Sequence, residues 1–189
     1  MELLPIIQSF AQQVASGQVE IYNEASIQYE LAILFRQRLG TSYKVQLERN
    51  INYFNLTNKD DEPFKKTEMD IVVFDPKMKE KHCIELKYPL NGQVPVQMFR
   101  ACEDVRFLEQ LVLSGFDKCY FVMFAEDNPF YSDEGDSGIY QTFRKEKLIG
   151  NMIVGTTGNV RDKKLCFKKT YPIQWKTLKG KLKYFVVEV

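Results

Sequence analysis

Apolar residues recur along the chain with two periods, and each period predicts a type of secondary structure. From residue 5 to residue 39 the spacing is helical and is interrupted near Ser16-Gly17, so we expect two helices, the second ending at Gly40. From Tyr43 to Phe54 apolar and polar residues alternate, which indicates a first strand. A helical pattern returns from about Pro95 to Leu113 and predicts a long helix.

Two apolar runs between these helices contain charges that a plain core would reject. The runs are Glu68–Phe74 and His82–Tyr88, and a turn-rich stretch joins them, so together they predict a β-hairpin. The charges are Asp70, Glu85 and Lys87. Because side chains alternate across a strand, Glu85 and Lys87 project from the same face.

We expect the Asp70 carboxylate to lie on that face too, beside Glu85. Two carboxylates gathered at one point bind a hard divalent cation such as Mg²⁺. The alternative is an edge hairpin with a surface Glu–Lys pair. Long charged side chains are ordinary on strand faces, whereas an aspartate inside an Ile-Val-Val-Phe run is not, and this favours the cation site.

The spacing of Asp70, followed fifteen positions later by Glu85-x-Lys87, resembles the PD-(D/E)XK nuclease superfamily, the restriction-endonuclease-like proteins that cut DNA. Met69 stands where the family usually has proline. The resemblance implies an α/β fold in which helices flank a mixed central four-stranded sheet, with an αβββαβ core over about residues 20–126. The continuous apolar run Lys118–Ala125, typical of a strand buried on both faces, supplies the last strand of that order.

The resemblance also assigns roles to residues of the hairpin. Asp70 and Glu85 would hold Mg²⁺, for which Mn²⁺ can substitute, together with the main-chain carbonyl of Leu86. Lys87 would help to deprotonate the attacking water or stabilise the pentacoordinate phosphate. Hydrolysis by this route leaves a 5′-phosphate.

Two further roles are implied by position only. Many members of the superfamily have a glutamate on an N-terminal helix that completes the metal site, and Glu30 matches it; Glu48 on the first strand is the competing third acid. Several have a glutamine at the start of the helix after the hairpin, which Gln97 matches. A solvated boundary glutamate and an ordinary glutamine near a helix N-terminus are the alternatives. Arg100 and Arg106 follow on the same helix, where they would reach phosphates or pair with nearby glutamates.

Length and composition fit one domain covering residues 1–189, large enough to bury a core without disulfides. Four widely spaced cysteines never form Cys-x-x-Cys, which indicates reduced thiols and not zinc ligands; they are Cys83, Cys102, Cys119 and Cys166. No run approaches the roughly 18 apolar residues of a membrane span. We therefore expect a cytoplasmic protein with no membrane partner.

A net charge of +1 conceals an asymmetry along the chain. Residues 126–138 are acidic and turn-rich, which predicts a surface loop. Between Arg161 and Lys183 nine Lys or Arg face one acid, Asp162, so the basic C-terminal portion, residues 161–189, is suited to a polyanion. The alternative is that these lysines only guard sheet edges against aggregation.

The resemblance, together with the predicted cation site and the basic C-terminal portion, implies an Mg²⁺-dependent deoxyribonuclease with DNA as its partner, and a homodimer is compatible with it. The alternatives are a nucleic-acid-binding module of nuclease-like fold with little or no catalysis, and a partner-binding protein in which the motif has no catalytic role.

Overall fold

The computed structural model describes residues 1–132, 134 and 137–189. The described helices are α1 (Leu4–Ser16), α2 (Glu24–Leu39), α3 (Val94–Leu113) and α4 (Ile139–Arg144). The described strands are β1 (Lys44–Asn50), β2 (Glu68–Phe74), β3 (Lys81–Lys87), β4 (Lys118–Ala125), β5 (Leu148–Ile149), β6 (Met152–Val154), β7 (Lys164–Cys166), β8 (Tyr171–Pro172), β9 (Lys176–Lys179) and β10 (Leu182–Glu188).

The central sheet is mixed and has helices on both faces, which confirms the predicted α/β class. Its strand order is β1-β2-β3-β4-β10-β9, and β3 pairs with β4 in parallel while the other neighbours are antiparallel. It has six strands where four were expected, because the apolar C-terminal strand β10 pairs with β4 and brings β9 with it. Two small sheets, β5-β8 and β6-β7, lie outside it.

Alternation along the hairpin strands separates two cores. Ile71 and Ile84 face α1 and α2, and Val72 and Cys83 face α3. Cys83 and Glu85 are two residues apart on β3, so Glu85 projects toward the α3 side. The strands thereby direct the charged side chains of the hairpin toward a buried helix.

Capping and turn chemistry fix the two elements that precede the hairpin. Asn23 and Ser26 form a reciprocal capping box at the start of α2, in which the Asn23 side chain accepts the Ser26 N–H at 2.7 Å. β1 is shorter than predicted, because its last four predicted residues, Ile51–Phe54, form a 3-10 turn that starts at the Asn50 side chain. Buried Ile51 thereby joins the core on the α3 side.

Residues 133, 135 and 136 of the predicted acidic loop lie outside the described residues. The four cysteines are free thiols, of which Cys83, Cys102 and Cys119 are buried and Cys166 is exposed. None of the helices in the described ranges has the length and apolar character needed to span a membrane.

Candidate active site

The pairing of β2 with β3 sets Asp70 and Glu85 side by side. Ile71 lies opposite Ile84, and one step further along this antiparallel register Asp70 faces Glu85. The Asp70 N–H donates to Glu85 Oε1 at 3.2 Å, and Asp70 Oδ2 accepts the Leu86 N–H at 2.7 Å. Both carboxylates are therefore held by the backbone of the hairpin itself.

Lys87 lies between acids of two helices. Its Nζ is 3.1 Å from Asp104 Oδ2 on α3 and 3.6 Å from Glu24 Oε1 at the first residue of α2. Glu24 Oε2 also accepts the Tyr88 N–H at 3.0 Å, so the start of α2 is tied to the end of β3. These contacts hold the Lys87 ammonium beside Asp104, the acid that also pairs with Lys66.

A second ammonium, that of Lys66, enters from the segment before β2. Its Nζ contacts Glu85 Oε2 and lies 3.2 Å from Asp104 Oδ1 and 3.8 Å from Asp70 Oδ1. Three carboxylates on three different elements therefore share this single ammonium.

A cavity of about 240 Å³ opens beside Asp70 on the α2 side. Its lining comprises Glu24, Ala25, Gln28, Glu48, Asp70 and Leu86. The Gln28 amide donates to the Asp70 carbonyl at 2.7 Å and to Glu48 Oε1 at 2.5 Å. The cavity is large enough for several waters, each of which takes about 30 Å³ in the liquid. Glu24 and Glu48 are thus the further acids at its rim.

Burial and nearby negative charges raise the pKa values of both hairpin carboxyls. Burial, with the nearby charges of Asp104 and Glu24, raises the pKa of Asp70 to about 6 against the opposing effect of Lys66. Burial, followed by the Asp70 charge, raises the pKa of Glu85 well above its usual value.

For the two lysines, the attraction of nearby carboxylates outweighs the effect of burial on the pKa. Burial by itself lowers a lysine pKa, but the attraction of Asp104 and Glu24 outweighs it for Lys87, whose pKa is raised. The pKa of Lys66 is raised in the same way, chiefly by the charge of Glu85. Both ammonium groups therefore stay charged although both are largely buried.

The structure brings Asp70, Glu85, Lys87 and Leu86 together, as expected for one site, but not Glu30. Successive helical residues are about 100° apart, so Glu30 lies about 160° around α2 from Gln28, which contacts the Asp70 carbonyl. Glu30 therefore points away from Asp70.

Two other predicted residues lie at the border of the site. Glu48 lines the cavity from an exposed left-handed position, with φ of 48°. Gln97 donates its amide to the Asn91 carbonyl at 2.9 Å. It lies on the same face of α3 as Asp104 but about 10 Å nearer the helix N-terminus, by the rise of 1.5 Å per residue.

Arg106 does not reach the surface and cannot serve phosphate, which corrects one of the two roles allowed for it. Its guanidinium is buried, where it pairs with Asp60 and, at 3.3 Å, with Glu109. Arg100 remains exposed. His82 lies on the face away from Glu85, with its ring near Glu80 and the Lys118 carbonyl.

Sequence reasoning missed Glu24, Lys66 and Asp104. Asp104 did carry a signal, because it occupies the buried stripe of α3 between Ala101 and Leu108, where a charge is as unusual as Asp70 is in its strand. Glu24 had only the weak signal of an acid in a first helical turn. Lys66 had none, since it belongs to a polar stretch without periodicity.

The oxygen atoms of the site are chemically suited to bind a hard divalent cation, but they do not surround an empty position. All are carboxylate or carbonyl oxygens, which Mg²⁺ and Mn²⁺ prefer. Yet among the residues with described positions, no group of three or more His, Cys, Asp or Glu side chains is arranged to hold a metal ion. The point at which Asp70, Glu85 and Asp104 converge contains the Lys66 ammonium. The site therefore fits a metal only if that ammonium moves.

Comparison with known proteins found no matching family model, no matching curated protein and no matching solved structure.

Proposed function

We propose that the protein is a metal-dependent nuclease that hydrolyses DNA phosphodiester bonds and has a restriction-endonuclease-like core. The observation that supports this best is the side-by-side placement of Asp70 and Glu85 on paired strands, with Lys87 on the same face of β3. A second support is the element order α2-β1-β2-β3-α3-β4, with β3 and β4 parallel, which agrees with the αβββαβ order of that core.

In this proposal Asp70 and Glu85 hold the cation, with the Leu86 carbonyl as a further oxygen donor. Glu24 takes the helix position that the sequence suggested for Glu30, because it is the α2 acid that lines the cavity with Asp70. A bound Mg²⁺ or Mn²⁺ would supply Lewis-acid stabilisation of the phosphate and lower the pKa of a water.

The chain itself supplies positive charge and positioning. Lys87 is 3.1 Å from Asp104 and is held charged by it, so an ammonium is in place to stabilise negative charge that develops on the phosphate. The low dielectric around this buried group makes such stabilisation stronger than it would be in water. Asp104 acts as a positioning residue, since it orients Lys87 from α3.

A second candidate function is a nucleic-acid-binding module of the same fold with little or no cleavage. The observation that favours it is the Lys66 ammonium between the carboxylates, which already neutralises the acids without a metal. In that case the basic C-terminal portion would carry the phosphate contacts.

The deciding experiment incubates purified protein with plasmid and with single-stranded DNA, in Mg²⁺, in Mn²⁺ and in EDTA. Cleavage in the presence of metal is expected, with a loss of about 100-fold or more in Asp70→Asn and Glu85→Gln. The matched pair Glu24→Gln and Glu30→Gln tests the two acids of α2, and only the first should slow cleavage. Full activity in Asp70→Asn would end the assignment, and DNA binding without cleavage would favour the second function.

A further variant distinguishes the role of Lys87 from the role of the residues that would bind the cation. Lys87→Met should lose cleavage but keep Mn²⁺ binding, since the ammonium acts on water and phosphate and not on the cation. A titration of Mn²⁺ monitored by electron paramagnetic resonance measures this directly. An equal loss of Mn²⁺ affinity in Lys87→Met and Asp70→Asn would contradict the role.

A further inference from the structure

Lys66 reaches the site from a segment that is clamped to α3. We call residues 57–67, which join the 3-10 turn after β1 to β2, the strap. Buried Gln110 accepts the Lys65 N–H at 2.8 Å and donates to the Pro63 carbonyl at 2.9 Å. Asp60 is ion-paired with Arg106 beneath it. The Lys66 ammonium is therefore delivered by a docked segment and not by an unanchored loop.

The surroundings of that ammonium are those of a cation site. It contacts Glu85, whose side chain is fully buried, and lies within 4 Å of Asp70 and Asp104. Asp104 Oδ2 is buried and accepts no hydrogen bond from the residues that the structure describes, although Lys87 Nζ is 3.1 Å away. Counting Glu24, four acids surround two lysines, so the cluster offers a divalent cation more carboxyl groups than the two ammonium groups occupy.

We propose that the Lys66 ammonium occupies the divalent-cation position of this site, so that a metal ion binds there only when the Lys66 side chain withdraws from Glu85. The inference rests on the proposed function, since it concerns the same carboxylates. Mg²⁺ requires carboxylate oxygens at about 2.1 Å, and an ammonium in contact with the same oxygens blocks that approach. Two cations this close in a largely buried site also repel strongly.

The Lys66 side chain can move from the carboxylates into solvent. It is 30% exposed, whereas the Glu85 side chain is fully buried, so a flexible four-carbon stem can carry the charge to solvent while the carboxylates stay in place. The apparent metal affinity then equals the intrinsic affinity multiplied by the fraction of molecules in which Lys66 has withdrawn. The Lys66 ammonium therefore competes with a metal ion for the same carboxylates.

The first test measures Mn²⁺ binding by isothermal titration calorimetry and by electron paramagnetic resonance, without DNA. Lys66→Met should bind Mn²⁺ about tenfold or more tightly than the wild-type protein, which corresponds to a withdrawn fraction of about one tenth or less. The matched control is Lys65→Met, because Lys65 lies on the same strap but pairs with Glu62 at 2.6 Å. Its Mn²⁺ affinity should be unchanged. Equal or weaker binding by Lys66→Met would overturn the proposal.

A second test uses the wild-type protein and does not depend on a variant that folds. An amine-reactive acetylating reagent is applied with and without Mg²⁺, and the labelling rates of Lys66 and Lys65 are followed by mass spectrometry. Mg²⁺ should raise the labelling rate of Lys66 relative to Lys65, because the ammonium leaves the carboxylates. A Lys66 rate that stays the same or falls would contradict withdrawal.

Failure of this inference and failure of the proposed function give different results. If Lys66→Met binds Mn²⁺ more tightly but neither protein cuts DNA, Lys66 is a competitor in a site that is not a nuclease. If the wild-type protein cuts DNA with Mg²⁺ but Lys66→Met shows no gain in Mn²⁺ affinity, the nuclease function is supported and the competition by Lys66 is rejected.

Discussion

Asp70 is a carboxylate whose surroundings disfavour its charge. Its side chain is 16% exposed, and burial raises its pKa to about 6 even though the Lys66 ammonium opposes the shift. Glu85 beside it is shifted in the same direction. Such raised carboxyl pKa values are common where a protein gathers like charges for a function, and they cost stability at neutral pH.

This cost can be measured through its pH dependence. A carboxyl whose pKa is higher in the folded than in the unfolded protein binds more protons when folded, so its contribution to stability falls as pH rises from about 4 to about 6. Asp70→Asn does not titrate and escapes this loss. The free energy of unfolding of Asp70→Asn, relative to the wild-type protein, should therefore rise across that window by up to about 3 kcal/mol.

Urea unfolding in EDTA at several pH values between 4 and 7.5 measures this difference. Asp61→Asn, at a side chain that is 96% exposed, controls for the loss of one negative charge. A relative stability of Asp70→Asn that declines as pH rises would contradict the role of burial at this residue.

At the scale of elements, the attachment of the strap to α3 depends on one buried side-chain amide. Gln110 is fully buried and bonds to the Lys65 N–H, the Pro63 carbonyl and, at 3.0 Å, Asp60 Oδ2. Backbone groups inside a protein require such partners, and the strap has no regular secondary structure to supply them. The position of Lys66 at the site is therefore set from α3.

Gln110→Ala should lower the free energy of unfolding by about 2–4 kcal/mol, because it leaves buried polar groups unpaired and creates a cavity. Limited proteolysis should also cut faster within residues 57–67. Chemical denaturation and mass spectrometry of the fragments measure the two effects. Gln37→Ala, at an exposed position of α2, is the matched control and should change neither. A strap as resistant in Gln110→Ala as in the wild-type protein would mean that other contacts hold it.

The same elements show how far the sequence alone predicted the site. The hairpin was predictable because charges inside strongly apolar, alternating runs are visible without a structure, and that pattern placed Asp70 beside Glu85. The rotation of α2 about its own axis was not predictable. Glu24 and Glu30 belong to the same helix, and only the packing of that helix decides which of the two glutamates faces Asp70. Lys66 depends on long-range contacts between the strap and α3, which leave no local pattern.

For the whole molecule, α3 links the candidate site to the basic C-terminal portion. Asp104 contacts Lys87, and five residues further along the helix buried Glu109 accepts the N–H groups of Lys168 and Lys169 at 3.1 and 3.0 Å. Five helical residues span about 7–8 Å along the axis and turn about 140° around it, so α3 anchors the basic segment and the candidate site on two different sides of the same helix.

The last prediction concerns this basic surface, in which Lys163, Lys164, Lys168 and Lys169 are exposed. If they contact phosphates, log affinity for DNA should fall with log salt by about 0.9 for each phosphate neutralised, and changing all four to Gln should flatten the slope by up to about 3–4. Mn²⁺ binding should be unchanged, because separate parts of the chain attract phosphate and cation. Lysine offers a point charge, so DNA of unrelated sequence should behave alike.

The matched control removes the same amount of charge at the opposite end of the sheet. Lys44 pairs with Phe74 at the end of β2 away from Asp70, and Lys77 and Lys79 lie in the turn that follows. With Arg38 at the end of α2, these four exposed residues change the net charge equally but lie far from the site. Their fourfold Gln variant should keep a salt slope close to that of the wild-type protein, because a uniform loss of net charge does not remove phosphate contacts. Equal flattening in both variants would mean that net charge alone attracts DNA, and parallel lines for all three proteins would mean that DNA approaches from another surface.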